Sequence, residues 1–574
     1  MKLSRRMLIV FALCYFFTGP NVSHSQILKS GPQDMCFFST VDETDQPYAL
    51  YIPRDYDPDR EYPLVVFLHG AMSNHRLGLR RVFGQGNNQG KDFIKPDHVP
   101  RESDLEATRY FPELKDVDYI VAAPYARGTA GYQGIPEKDV YQMIDQVKSH
   151  FRIDADRMYL TGLSMGGGGT LWLGLTRPDI WAAIAPVCPA APKGAKELAG
   201  NALNIPVHLF VGDQGFLYQD VQDWKKRFED QNIRLRYREY PGVGHNSWEY
   251  AYQDGFIFDW FAQFERDPFP GKVHFTTQMH KYSKAYWVSL DQFAPGKTAS
   301  VKARFAGNNY IEIVSKHLEA LTLNLKGHKS FDPKASLEVQ IDGKKFVVNT
   351  PDAVSFTRVD GQWVNKKYTP SLPAKQRGSE GPIVEAIYDN HIFVYGTADG
   401  PSQEEERARR RKAERAANWS VYRGAFGRIK VYPRVLADKQ VRESDYRNSS
   451  LILFGTRQTN HIIEQYADRL PVHLTGQSDE YGLVYIYPVE DHYFLISSGL
   501  PWWTAAGSEE KSSGSTSLLP PQLAPLDDFK DYALFHKHTG NIVAEGYFDN
   551  NWKLPPEDLQ KFKATDQVEF HLQR

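Results

Sequence analysis

Cysteine is almost missing from this chain, with three in 574 residues. Cys14 falls in an apolar run near the start, so Cys36 and Cys188 are the two left to the body of the protein. Whether they pair or stay as buried thiols is open from sequence. Neither sign of charge dominates: 68 basic residues stand against 70 acidic ones, for a net charge of −2. That balance gives no electrostatic basis for nucleic-acid or anionic-membrane binding. No apolar run has the length of a confident membrane span, because Met7 to Phe17 is too short. No His/Cys/Asp cluster has metal-ligand spacing, and no glycine run fits a phosphate loop. Neither a metal nor a nucleotide cofactor is expected.

What is present begins with a targeting pattern. Lys2, Arg5 and Arg6 precede the apolar run, and Ser23 and Ser25 occupy the two positions a signal peptidase inspects before Gln26. Residues 1–25 therefore read as a signal peptide, and the mature protein is expected to be secreted or periplasmic. At roughly 100–200 residues per domain the chain should hold about three domains. Aromatic content is 13%, which suits extensive β structure and carbohydrate-facing surfaces equally.

The stretch that organises the chain runs from Arg157 to Gly169. Apolar residues Met158 to Leu160 lead into Gly162-Leu-Ser164-Met-Gly166, and a helix-compatible segment from Thr170 to Leu175 follows. A strand must turn sharply into a helix at Ser164, which needs small residues on both sides and lifts the hydroxyl clear of the backbone. Upstream, Pro63 to Leu68 is an unbroken apolar run of the kind a buried parallel strand shows, and it ends in His69-Gly70-Ala71. Tyr119 to Ala123 reads as a further strand, and Val140, Met143, Ile144, Val147 and Phe151 mark a helix over 137–151. The polar, Gly-rich residues 72–112 between them are expected to border the active-site mouth.

Downstream, Trp181 to Val187, Pro206 to Val211 and Leu235 to Tyr240 read as strands. The last is followed by Pro241-Gly-Val-Gly244-His245-Asn246, a loop that offers a histidine at a strand end. A serine hydroxyl is almost un-ionised at neutral pH. An imidazole can take its proton during attack on a carbonyl and return it to the leaving group.

These motifs carry a resemblance. Phe67-Leu-His-Gly70, Pro124-Tyr-Ala-Arg-Gly128, Ile153-Asp-Ala-Asp-Arg157, Leu160 to Gly167, Arg177-Pro-Asp179 and Tyr240 to His245 make residues 47–265 resemble secreted α/β-hydrolases of the prolyl-oligopeptidase-like and carbohydrate-esterase group, which includes feruloyl esterases and polyhydroxybutyrate depolymerases. The resemblance implies Ser164 as nucleophile, His245 as base, and an oxyanion hole from the backbone N–H groups of Met165 and Ala71. It also implies an acid three residues after Gly212, where this chain has Gly215. Asp213 and Asp220 stand nearby in a loop read as Gly212 to Val221. Asp213, at the strand end, is the first choice for the acid, Asp220 the second, and loss of the acid is the third possibility.

Beyond the first domain the pattern changes. Ser300 to Phe305, Tyr310 to Val314, Leu321 to Leu325 and Leu337 to Ile341 alternate with the period of half-buried strands, and Asp342-Gly343 and Asp360-Gly361 read as hairpin turns. A polar linker over 370–381 leads to an α/β pattern: strands at His391 to Tyr395, Arg428 to Tyr432 and Leu451 to Phe454, a charged helix at Gln403 to Trp419, a helix at Asn460 to Leu470, and later strands. The expected fold class is α/β: an α/β-hydrolase catalytic domain (26–268), a small β-sandwich (269–372) and a Rossmann-like α/β domain (381–574). Gly396, Gly400 and Gly455 are not spaced as a dinucleotide fingerprint.

Three functions are compatible with this reading. The first is a secreted serine hydrolase of carboxylic esters, acting on ester-bearing small molecules or polysaccharide. The second is a serine peptidase with the same mechanism. The third is a non-catalytic carbohydrate-binding or scaffold protein on a decayed hydrolase fold.

Overall fold

The computed structural model describes residues 28–86, 102–349, 353–419, 431–475, 479–504 and 519–570. The signal-peptide reading, part of the Gly-rich stretch at 72–112 and residues 428–430 of an expected strand lie outside the described residues.

An eight-stranded sheet underlies the first part of the chain. Its strands are β1 (Gly31–Ser39), β2 (Thr44–Ile52), β3 (Tyr62–Leu68), β4 (Ile120–Pro124), β5 (Ile153–Leu163), β6 (Ala183–Val187), β7 (Val207–Gly212) and β8 (Leu235–Tyr240), in the order β1-β2-β4-β3-β5-β6-β7-β8. β1 and β2 are antiparallel to their neighbours, and every pair from β4/β3 to β7/β8 is parallel. Helices cover both faces, which is why β3, β4 and β6 are buried along their whole length. α1 (His75–Val82) places Leu79 and Val82 in the core on one face, and α2 (Ile135–His150) places Val140, Met143, Ile144 and Val147 in the core on the other. β1 was not apparent in sequence, because as an antiparallel edge strand it alternates buried and exposed positions over only its last residues.

The described residues of 272–364 form two five-stranded sheets that share a core containing Phe275, Trp287, Leu290, Val301, Ile311 and Phe356. The two Asp-Gly hairpins take φ of 48° and 87° at Asp342-Gly343 and 49° and 74° at Asp360-Gly361, the left-handed pair that a two-residue turn requires.

The C-terminal part is a seven-stranded sheet in the order Arg434–Ala437, His391–Tyr395, Ser450–Phe454, His492–Gly499, Tyr481–Val489, Tyr532–His536, Ile542–Gly546. The first four are parallel and the rest antiparallel. Val431 and Tyr432, the described part of the strand expected at Arg428 to Tyr432, are not in a strand, and a strand begins at Arg434, past Pro433, which cannot donate to a ladder.

The stretch read as a polar linker is exposed at Ser371 to Pro373 and at Arg377 and Gly378, but Ala374, Lys375, Glu380 and Gly381 are buried. Lys375 Nζ donates to Asp531 Oδ2 at 2.5 Å and to the Glu380 carbonyl at 2.6 Å, while the Glu380 carboxylate accepts the backbone N–H groups of His280 and Lys281. Lys281 Nζ reaches Glu385 at 2.7 Å, and Tyr282 and Trp172 both donate to Glu137. Lys375 and Glu380 are thus polar because they bond within a buried junction of the three sheets, while Arg377 and Gly378 between them are exposed. Among the described residues no helix is long and apolar enough to cross a membrane.

Candidate active site

β5 ends at Leu163 and α3 (Met165–Thr176) begins two residues later, with Ser164 between them at φ 54° and ψ −116°. This strained backbone is held from three sides: the Ser164 N–H donates to the Val187 carbonyl, and its own carbonyl accepts from Gly168 and Ala190, each at 2.9 Å. The flanking glycines are steric requirements. A Cβ at Gly162 would lie 2.5 Å from the Gly166 carbonyl oxygen, and one at Gly166 only 2.0 Å from that of Leu68. The elbow thus presses against the end of β3, which brings Ala71 to the rim of the same cavity as Ser164 and Met165. The Met165 N–H is the first of α3, so helix geometry gives it no intrahelical acceptor.

His245 comes from the loop after β8, and its Nε2 lies 2.9 Å from Ser164 Oγ. Two rings fix it: Phe216 packs on its face at 4.3 Å between centroids, and Trp248 meets it edge-on at 5.4 Å. Burial lowers its pKa to about 4, which keeps the imidazole neutral. Its Nδ1 is buried and has no hydrogen-bond partner among the described residues.

The first choice for the acid is therefore corrected. Asp213 Oδ1 accepts the Gly242 N–H at 2.8 Å, tying the β7 loop to the β8 loop, and does not reach His245. Asp220, unlike Asp213, is not in the loop. It lies in the first turn of α4 (Tyr218–Asp230) and pairs with Lys196 at 3.2 Å, where a helix N-terminus favours a carboxylate. Gly215 occupies the place beneath the histidine: a Cβ built on it would sit 3.4 Å from His245 Cα, with the Gly212 carbonyl oxygen at 3.2 Å. The structure brings together Ser164, His245, Met165 and Ala71 and leaves both aspartates out.

The cavity over Ser164 measures about 680 Å³, within the range of small-molecule sites. Sequence reasoning missed several of its walls. Phe216, 78% exposed, had a signal in its place beside the anomalous Gly215. Tyr132 donates to the His69 carbonyl at 3.0 Å and packs on Gly169. Tyr388, Trp419, Leu519 and Asp527 line the far side from the C-terminal part of the chain, and no local pattern could have placed them there. Cys188 is buried beside the elbow with its thiol pushed up to about 12, while Cys36 is exposed on β1; both are free.

Residues 39–202 match the family model described as a putative esterase. The chain is 23% identical over 206 residues to an S-formylglutathione hydrolase of Paracoccus denitrificans, covering 35% of this chain and 67% of that protein. It is 30% identical over 136 residues to a bifunctional acetylxylan esterase/xylanase of Neocallimastix patriciarum, covering 22% of this chain and 19% of that one. Among solved structures, a thermostable esterase aligns over 41% of this chain and 63% of its own, at 23% identity and a TM-score of 0.32. On the family match and the elbow together, the N-terminal domain is a serine hydrolase of the carboxylesterase group of α/β-hydrolases.

Proposed function

We propose that this protein is an exported esterase that removes acyl groups from polysaccharide or related molecules, using Ser164 and His245 without a carboxylate as third member. The observation that carries the reading is the 2.9 Å contact of His245 Nε2 with Ser164 Oγ at an elbow that opens into a large cavity. The similarity to a protein named as an acetylxylan esterase/xylanase supports the substrate class, and the leader pattern of residues 1–25 supports export.

In this mechanism the neutral imidazole accepts the serine proton as Oγ attacks the ester carbonyl. The oxyanion is received by the N–H groups of Met165 and Ala71, donors that are already in place and need no reorganisation. The imidazolium then returns its proton to the departing alcohol oxygen, the acyl-serine forms, and water repeats the sequence. With no carboxylate to stabilise the imidazolium, esters with good leaving groups should turn over first.

The unpartnered Nδ1 favours one second reading, a non-catalytic sugar-binding protein on a decayed hydrolase fold. Labelling by a fluorophosphonate probe and turnover of p-nitrophenyl acetate, both lost in Ser164→Ala, are the expected results. Absence of both from the folded wild-type protein would leave the binding reading in possession.

A further inference from the structure

The C-terminal sheet has a crevice that the esterase reading does not use. From the strand His391–Tyr395 the chain passes through the helix Gln403–Ala416 to Arg434–Ala437 on one side, then crosses to Ser450–Phe454 on the other. The connections diverge at the carboxyl ends of the two inner strands. Parallel sheets bind ligands at such switch points, because the diverging loops leave a gap above the strand ends. A cavity of about 370 Å³ opens there, floored by Tyr395, Phe454, Leu500 and Pro501.

Its charges are unequal in kind. Arg409 is neutralised by Asp399, at 2.7 and 2.6 Å, and by Glu405. Lys412, one turn further along the same face, has no carboxylate partner among the described residues. Its Nζ donates to the Gly499 carbonyl at 2.9 Å and lies 5.9 Å from the centroid of the Phe454 ring. An ammonium has three donors, so two remain for a ligand. Burial alone lowers its pKa to about 8, and at neutral pH it still carries its proton without a counter-ion.

We infer that this crevice binds a small organic monocarboxylate with an apolar or aromatic body, its carboxylate on Lys412 and its body on Phe454 and Tyr395. A single uncompensated cation matches a single negative charge. Phosphate dianions fit poorly, because the first turn of the helix that carries Lys412 holds Glu404, Glu405 and Glu406, Asp479 also lines the crevice, and the glycines make no phosphate loop. Gly396 and Gly455 are there for packing, since a Cβ on either would strike Thr459 within 2.6 Å.

The test is calorimetric titration of the full-length Ser164→Ala protein with cinnamate, repeated with cinnamyl alcohol, inorganic phosphate and adenosine monophosphate. Ser164→Ala prevents turnover, and any cinnamate bound in the catalytic cavity stays constant across the variants compared. Adding Lys412→Met should weaken one cinnamate site at least tenfold. Adding Lys412→Gln, which keeps a donor for Gly499 but no charge, should do the same and shows whether fold or charge is responsible. The alcohol should bind at least tenfold more weakly than cinnamate, and neither phosphate compound should compete. In the Ser164 background both Lys412 variants should keep the wild-type esterase rate and melting temperature. Unchanged cinnamate affinity in Lys412→Gln would overturn the inference, and so would displacement of cinnamate by adenosine monophosphate.

Discussion

Gly215 decides how the catalytic pair behaves. A triad carboxylate contributes about 10⁴ in turnover by holding the imidazole in one tautomer and stabilising the imidazolium. Here Nδ1 faces no acceptor, and burial holds the pKa near 4. Gly215 does not have positive φ, and the space over it is tight but open, so Gly215→Asp should fold and direct a carboxylate under His245. Turnover of p-nitrophenyl acetate is expected to rise by about 10² or more. The pH profile supplies a second readout. In the wild-type protein activity should fall only as pH drops through about 4, because the base works when unprotonated. An added carboxylate favours the protonated ring, so the acid limb in Gly215→Asp should move upward toward the ordinary imidazole range. An unchanged limb together with an unchanged rate would show that the new side chain does not reach Nδ1.

At the scale of elements, the two loops after β7 and β8 act as one unit. Asp213 accepts the Gly242 N–H, Gln214 N–H donates to the Val243 carbonyl, and Phe216 lies on the His245 ring. Asp213→Asn keeps an acceptor oxygen for Gly242 and should leave kcat within a few-fold of wild type. Asp213→Ala removes it, and kcat should fall further, by about fivefold, as the loop carrying His245 loosens by the ~1 kcal/mol of a typical hydrogen bond. A loss of several orders of magnitude in Asp213→Asn would restore that aspartate as the acid. The elbow and His245 were legible in sequence because glycine spacing and chain order are local signals. Strands buried on both faces, such as β3, were legible because they read as unbroken apolar runs. Asp213 misled because distance along the chain does not say which N–H a carboxylate will take. Lys375 and Glu380 misled because a lysine paired with Asp531 and a glutamate that accepts backbone N–H groups in a buried junction look, in sequence, like a solvated linker.

Across the whole molecule, buried neutral histidines set the response to acid. His208 and half-buried His245 in the eight-stranded sheet region, half-buried His274 and buried His280 in the region of the two five-stranded sheets, and His391 in the C-terminal sheet all have pKa values lowered to about 3 or 4, with burial the largest cause. Each binds a proton more readily when unfolded, so the stability it contributes is complete above the unfolded value near 6.5 and is lost as pH falls toward the folded value. Glu380 acts in the opposite sense. Burial raises it to about 8, so its contribution is present below 4.5 and lost as pH rises through 8. Asp139, Asp179, Asp291, Asp531 and Glu385 are raised as well and oppose the histidines at the acid end. His208 isolates the histidine effect. It is 1% exposed, neither ring nitrogen has a partner among the described residues, and it packs against Phe210 at 3.9 Å and Trp260 at 5.0 Å. One proton corresponds to about 1.4 kcal/mol per pH unit. His208 alone should therefore remove about 2 kcal/mol between pH 7 and pH 5. His208→Phe keeps an aromatic ring in that place and cannot titrate. Urea unfolding of the two proteins at pH 7 and pH 5 should show the variant losing less stability on acidification by about that amount. Equal losses in both would mean that His208 is not held neutral in the fold.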